Sequence, residues 1–176
     1  MKIDITLKVT PKSATVDHLG THFDIMDKEF PLEYTQRKGI VFDARGVKGR
    51  DIDISDIDLD KVEKGMFVAF YTGFVDEVGY GTDKYFKEHP QLSNELLQKL
   101  LEKQVSIIGV DFAGVRRGAE HTPMDQYCAD RGVFIVENLC SLEKVLENGG
   151  AFTANTYPMN FAGLTGVPCR VVADVE

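Results

Sequence analysis

Two imidazoles and a carboxylate fall within seven residues at His18-Leu19-Gly20-Thr21-His22-Phe23-Asp24, in a chain that has four histidines in all. Imidazole nitrogen and carboxylate oxygen together suit a divalent ion, and they suit zinc and manganese alike. Spacing limits the backbone that could gather them. In an extended strand the Cα atoms of His18 and His22 would stand roughly 13 Å apart, too far to share an ion. In a regular helix those two would align while Asp24 pointed to the opposite side. Convergence of all three needs an irregular curl, and Gly20 sits where that curl is required. The alternative is a polar loop whose histidines are merely neighbours in sequence.

The rest of the chain must supply the frame. Its 176 residues, 43% hydrophobic and 27% charged, fit one globular domain over 1–176 with a sizeable core. A net charge of −8 and a pI near 5.0 argue against nucleic acid or an anionic membrane as partner. The N-terminus alternates polar and apolar residues instead of carrying the apolar run of a signal peptide, and no apolar run approaches the roughly 20 residues that span a bilayer. Cys128, Cys140 and Cys169 form no C-x-x-C pair and leave one unpaired, which fits a cytoplasmic protein and core positions.

Hydrophobic periodicity outlines an α/β fold. Ile3, Ile5, Leu7 and Val9 alternate with polar residues, a half-buried strand ended by Pro11. Asp27 to Gln36 reads as loop or short helix around Pro31, and Ile40 to Asp43 as a short strand. Ile and Asp or Ser alternate over Asp51–Asp60, which predicts a solvated edge strand and a helix lead-in; the row lacks the glycine turn and terminal glutamate of a calcium loop. Met66–Tyr71, Val105–Val110 and Val133–Val136 are apolar runs covered on both faces. Ser93 caps a helix whose stripe is Leu96, Leu97, Leu100 and Leu101. Gly79-Tyr80-Gly81-Thr82 is a loop without the strand–turn–helix frame of a phosphate cradle. Thr122-Pro123-Met124-Asp125 predicts a helix start with threonine as cap, proline first and acid third. Ser141 caps a helix through Leu146, stopped at Gly149-Gly150. Phe152–Asn155 and Cys169–Val175 read as closing strands. Glu137 follows four apolar strand residues, so a cation or a metal must meet its carboxylate. His89, before Pro90, reads as a loop residue.

His18-x-Gly20-Thr21-His22-x-Asp24 resembles the signature H-x-G-T-H-x-D-x-P-x-H of the cyclase family of metal-dependent hydrolases, which includes bacterial kynurenine formamidase and isatin hydrolase. Ile135-Val136-Glu137-Asn138-Leu139 is similar to the family's I-x-E-N-L segment, Ile107 to Asp111 to its G-x-D strand, and Gly163 to Arg170 to its closing G-x-P-x-R. The resemblance implies that His18, His22 and Asp24 hold a divalent metal and that Glu137 serves a second one. It departs in three places. Met26 stands where the family has proline, Lys28 where it has its acid/base histidine, and Asp125 where two-metal members have a histidine. Aspartate also binds zinc or manganese, so a second site bridged by Asp24 stays open, beside the helix-capping role for Asp125. His121, one turn before Asp125, could replace the missing acid/base or become a ligand. Lys28 could donate a proton or stabilise an oxyanion, but a free lysine titrates near 10.4 and is a poor base.

The resemblance implies a mixed sheet or partial barrel of the swivelling β/β/α type. It implies an enzyme that hydrolyses a C–N bond of a small amide or cyclic amide by metal-activated water, with zinc or manganese as cofactor. A homodimer or higher homo-oligomer is expected, since a short sheet has edges to protect and family members are typically oligomeric. The replacement at Lys28 favours the rival expectation, a cyclase-like metal- or ligand-binding protein with weakened turnover.

Overall fold

The apolar runs become the middle of a sheet. Phe67–Tyr71, Ile107–Val110 and Phe134–Glu137 lie side by side as parallel strands, buried along their whole length. The computed structural model describes residues 1–7 and 18–175. Its strands are β1 (Lys2–Asp4), β2 (His22–Asp24), β3 (Gln36–Asp43), β4 (Phe67–Tyr71), β5 (Ile107–Val110), β6 (Phe134–Glu137), β7 (Ala151–Thr156), β8 (Gly166–Pro168) and β9 (Val171–Asp174). Its α-helices are α1 (Phe74–Val78), α2 (Asp83–Glu88), α3 (Asn94–Glu102), α4 (His121–Ala129) and α5 (Leu142–Glu147). Among the described residues these nine strands form one sheet in the order β1-β9-β7-β3-β4-β5-β6-β2-β8. Strands β3 to β6 are parallel and the flanking pairs antiparallel. The sheet curls strongly into a half-barrel, the mixed α/β architecture expected from the sequence.

Period-two alternation divides the core into two layers. Phe67, Phe134 and Val136 join Phe23, Leu139, Leu142 and Phe152 on one side. Val68, Phe70, Ile108 and Ile135 meet Leu96, Leu97, Leu100 and Cys128 of α3 and α4 on the other. Ser93 caps α3 as its position predicts, its hydroxyl accepting from the Leu96 amide at 3.0 Å. Two strand glycines are needed for close packing. An added Cβ at Gly109 would stand 2.4 Å from Phe67 Cε2 and 2.8 Å from Leu139 Cδ1, and one at Gly39 would meet the Phe152 ring at 2.4 Å.

Several expectations need correction. Asp51–Asp60 forms no edge strand: Asp53 and Asp58 cap two 3₁₀ turns, Ile54–Asp56 and Leu59–Lys61, and Ile52 keeps a single bridge to Leu92. Local carboxylate-to-amide bonds there overrule the alternating pattern. β3 starts four residues earlier than Ile40, because Gln36 to Ile40 pair antiparallel with β7. α4 begins at His121 without a side-chain cap, so Thr122 lies inside the helix. Ser141 likewise precedes α5 without a capping bond. β1 ends at Asp4; Val9 and Pro11, expected to extend and end that strand, lie outside the described residues.

The substitution Gly109→Ala is expected to cost about 1–3 kcal/mol through overpacking against Phe67 and Leu139. Urea denaturation measures this, and an unchanged midpoint would show that the two side chains can give way.

Candidate metal centre

The curl required by the histidine spacing is confined to the start of the motif. Gly20 has φ of 64°, a region open to glycine at little cost, and the chain then enters β2. There His22 and Asp24, two residues apart, share one face while Phe23 enters the core on the other. Antiparallel pairing sets His22 opposite Glu137 of β6. From the helical layer α4 contributes a stripe in which Asp125 and Cys128 are buried and His121 stands one turn before Asp125.

These residues meet. His18 Nδ1 lies 3.0 Å from His22 Nε2 and 3.1 Å from Asp24 Oδ1, and His22 Nε2 lies 3.5 Å from the same oxygen. Bonds of about 2.0–2.1 Å to one tetrahedral ion would separate neighbouring ligand atoms by roughly 3.3 Å, so the three are spaced to share it. Glu137 Oε2 is 3.6 Å from His22 Nε2, while Glu137 Oε1 and Asp125 Oδ2 lie 3.3 Å and 3.2 Å from His121 Nε2. Asp24, His121 and Asp125 form a second group whose ligand atoms lie within 4.8 Å of one another, so Asp24 belongs to both.

The chemistry of the set asks for a cation. Asp24, Asp125 and Glu137 are each at most 4% exposed. Asp24 Oδ2, Asp125 Oδ1 and Glu137 Oε1 are buried without accepting a hydrogen bond, an arrangement that costs free energy unless something positive fills it. Burial, then Asp24, pushes the carboxyls of Asp125 and Glu137 above the usual carboxylate range. Burial works the same way on Asp24, but hydrogen bonds from His18 and His22 outweigh it and hold that group low. For His22 burial opposes the charged form, and Asp24 with Glu137 prevails and raises its pKa.

Outer contacts orient the rings. His22 Nδ1 is 2.8 Å from the Gly20 carbonyl oxygen; a carbonyl only accepts, so Nδ1 carries a proton and Nε2 faces the acids. His18 Nε2 meets Thr165 Oγ1 at 3.0 Å. Gly114, with φ of 106°, leaves room for the His121 ring, which a Cβ would approach to 2.5 Å. The sequence did not single out Thr165 or Gly114, since each lies far along the chain from the residue it supports or carries no ligand atom of its own.

Lys28 stands outside this cluster. Its Nζ pairs with Asp130 Oδ1 at 2.7 Å and Asp27 Oδ1 at 2.9 Å, and those two acids raise its pKa. It lines a cavity of about 940 Å³ with Met26, Phe30, Tyr157, Phe161 and Thr165. Thr165 therefore borders both the cavity and His18. A smaller cleft of about 380 Å³, lined by Gln36, Lys38 and Gly65 among others, lies at the starts of β3 and β4 and touches none of the cluster.

A family model described as "Putative cyclase" matches residues 3–116. The chain belongs to the cyclase family. The solved structure of a potential metal-dependent hydrolase with cyclase activity is 25% identical, with a TM-score of 0.81 over 100% of this chain and 98% of that one. Isatin hydrolase A from Labrenzia aggregata is 16% identical, with a TM-score of 0.80 over 100% and 94%. Isatin hydrolase A from Ralstonia solanacearum is 18% identical, with a TM-score of 0.78 over 100% and 92%. The two isatin hydrolases share the fold. No curated protein matches the chain significantly. Where the cyclase signature has proline, Met26 adopts φ of 56°, which a proline ring cannot reach. The departure in sequence is thus also one in backbone. Among the described residues, no helix is long and apolar enough to cross a membrane.

The fourth histidine is elsewhere. His89 follows α2 as a loop residue, but it is buried, stacked on Phe112 at 5.6 Å, with Nδ1 donating to the Pro90 carbonyl at 2.7 Å. Burial lowers its pKa to about 4 from the ordinary 6.5. The folded state therefore holds the neutral ring, and this contribution is complete above pH 6.5 and lost as pH falls toward 4, about 3 kcal/mol in full. Chemical denaturation between pH 7.5 and 4.5 should show a shallower loss of stability in His89→Gln than in the unaltered protein. Parallel curves would mean that His89 is not what titrates.

Proposed function

We propose that this cyclase-family chain is a metal-dependent hydrolase acting on the carbon–nitrogen bond of a small amide or cyclic amide. The observation that carries the reading is the set of three buried, unsatisfied carboxylate oxygens beside converging imidazoles. Likeness to the 25%-identical potential metal-dependent hydrolase with cyclase activity supports the same kind of chemistry. His18, His22 and Asp24 would hold one zinc or manganese ion, with Asp125, Glu137 and His121 around a second on the other side of Asp24. When bound, such an ion supplies Lewis acidity, polarising a carbonyl and bringing the pKa of water toward neutrality.

The chain's own groups divide the remaining work. His22, Asp24, Asp125 and Glu137 are buried, while the side chains of His18 and His121 reach solvent. Substrate would therefore approach past the two exposed rings, from the cavity that Thr165 borders. The apolar and aromatic walls there suit the body of a small organic amide. His121, between Asp125 and Glu137, is placed either to hold the second ion or, with one ion bound, to take a proton from water and return it to the leaving nitrogen. Lys28 stays protonated between Asp27 and Asp130, so it serves as a positive charge at the cavity wall and not as a base.

That same pairing of Lys28 favours a second reading, a metal- or ligand-binding member with weak turnover. One set of assays separates the two. The chelator-stripped protein is reloaded with zinc or manganese and screened against formamides, cyclic imides and lactones, with metal content measured by elemental analysis. The hydrolase reading predicts turnover that returns with metal, little metal and no recovery in His18→Ala/His22→Ala, and slower turnover at full metal content in Lys28→Met. Retained metal without turnover on any substrate would support the binding reading. Undiminished metal in the double variant would place the site elsewhere.

A further inference from the structure

The glycine-bearing loop at Gly79-Tyr80-Gly81-Thr82 has no part in the chemistry above, yet it joins α1 to α2 directly beside the metal loop. The Tyr80 hydroxyl accepts the Gly20 amide at 2.9 Å. Thr82 caps α2, its hydroxyl accepting from the Tyr85 amide at 3.1 Å, and α2 delivers a fully buried Tyr85. The Tyr85 hydroxyl donates to Asn138 Oδ1 at 2.8 Å, and Asn138 Nδ2 donates to the Gly20 carbonyl at 2.8 Å. That carbonyl is also the acceptor for His22 Nδ1. Thr21 ties the same turn to β6 by donating from its hydroxyl to the Asn138 carbonyl at 2.7 Å.

We propose that the α1–α2 hairpin is the positioning clamp of the metal loop: Tyr80 holds the Gly20 amide and Tyr85, acting through Asn138, holds the Gly20 carbonyl, so the two peptide units that meet at Gly20 are both fixed. The Gly20 carbonyl thereby sets the ring orientation and Nδ1–H tautomer of His22. The proposal rests on the metal-centre reading given above. Tyr85 holds the Asn138 amide the right way round: with Oδ1 occupied by a phenol, only Nδ2 can face Gly20, and Nδ2 only donates. Asn138 is itself 1% exposed and has φ of 59°, a conformation asparagine tolerates better than most residues. The three are positioning residues, since each reaches the ligand through the Gly20 peptide. Partners of this kind change metal affinity by about 10–100-fold when removed.

Tyr80→Phe and Tyr85→Phe remove one hydroxyl each and keep the rings, which pack edge-to-face at 5.4 Å. Three measurements on the full chain test the clamp. They are zinc affinity by chelator competition, the visible spectrum of the cobalt-loaded protein, and long-range proton–nitrogen NMR of the His22 ring without metal, recorded at alkaline pH where the ring is neutral. The expected result is affinity lower by about tenfold in each variant, an altered cobalt spectrum, and mixed His22 tautomers in Tyr85→Phe where the unaltered protein shows Nδ1–H. Affinity, spectrum and nitrogen shifts all unchanged in both variants would overturn the clamp and leave the hydroxyls a packing role. An unaltered protein that takes up no divalent ion would instead refute the metal centre, and the clamp would then stand or fall on the nitrogen shifts alone.

Discussion

Three carboxylates share one buried pocket, and the site is built around that constraint. Two like charges about 4 Å apart repel by roughly 4 kcal/mol at the effective dielectric of a protein, and Asp24, Asp125 and Glu137 also lose their water. The imidazoles offset part of this, as the low pKa of Asp24 and the high pKa of His22 show. They do not finish the task, because each acid keeps an oxygen without a hydrogen bond. Without a cation such a cluster must take up protons; a divalent ion would give the same oxygens a partner.

The fold brings this about through register. His22 faces Glu137 because β2 pairs with β6 in one alignment; a slip by one residue would turn Phe23 toward the acids and His22 into the core. α4 answers from the opposite layer with His121 and Asp125 on one stripe. Gly114 leaves the space that the His121 ring fills, and Gly20 supplies the left-handed turn that leads into β2. Thr165, whose carbonyl also accepts the amides of Ile25 and Met26 at 2.9 Å, ties the cavity wall to His18.

Local chemistry made the grouping of His18, His22 and Asp24 legible in the sequence, because two imidazoles and a carboxylate fall within seven residues. Their geometry was only half legible. The curl at Gly20 could be argued from reach, but the strand that carries His22 and Asp24 depends on pairing with β6, far along the chain. Asp125 was ambiguous for a physical reason. Thr122-x-x-Asp125 fits a capping box, but the helix starts at His121, two residues earlier than a Thr122 cap requires, and Asp125 is buried within it. The Ile/Asp alternation at 51–60 misled because short-range capping by Asp53 and Asp58 outweighed the period-two pattern. The apolar central strands and the Leu96–Leu101 stripe were read correctly, since burial there follows from periodicity alone.

Anomalous diffraction from crystals grown with zinc, recorded above and below the zinc absorption edge, would locate the ion without reference to activity. A shared centre predicts a zinc peak about 2.0–2.1 Å from His18 Nδ1, His22 Nε2 and an Asp24 oxygen. Crystals that hold zinc only at surface positions, with the Asp24–Asp125–Glu137 pocket free of anomalous signal, would contradict it.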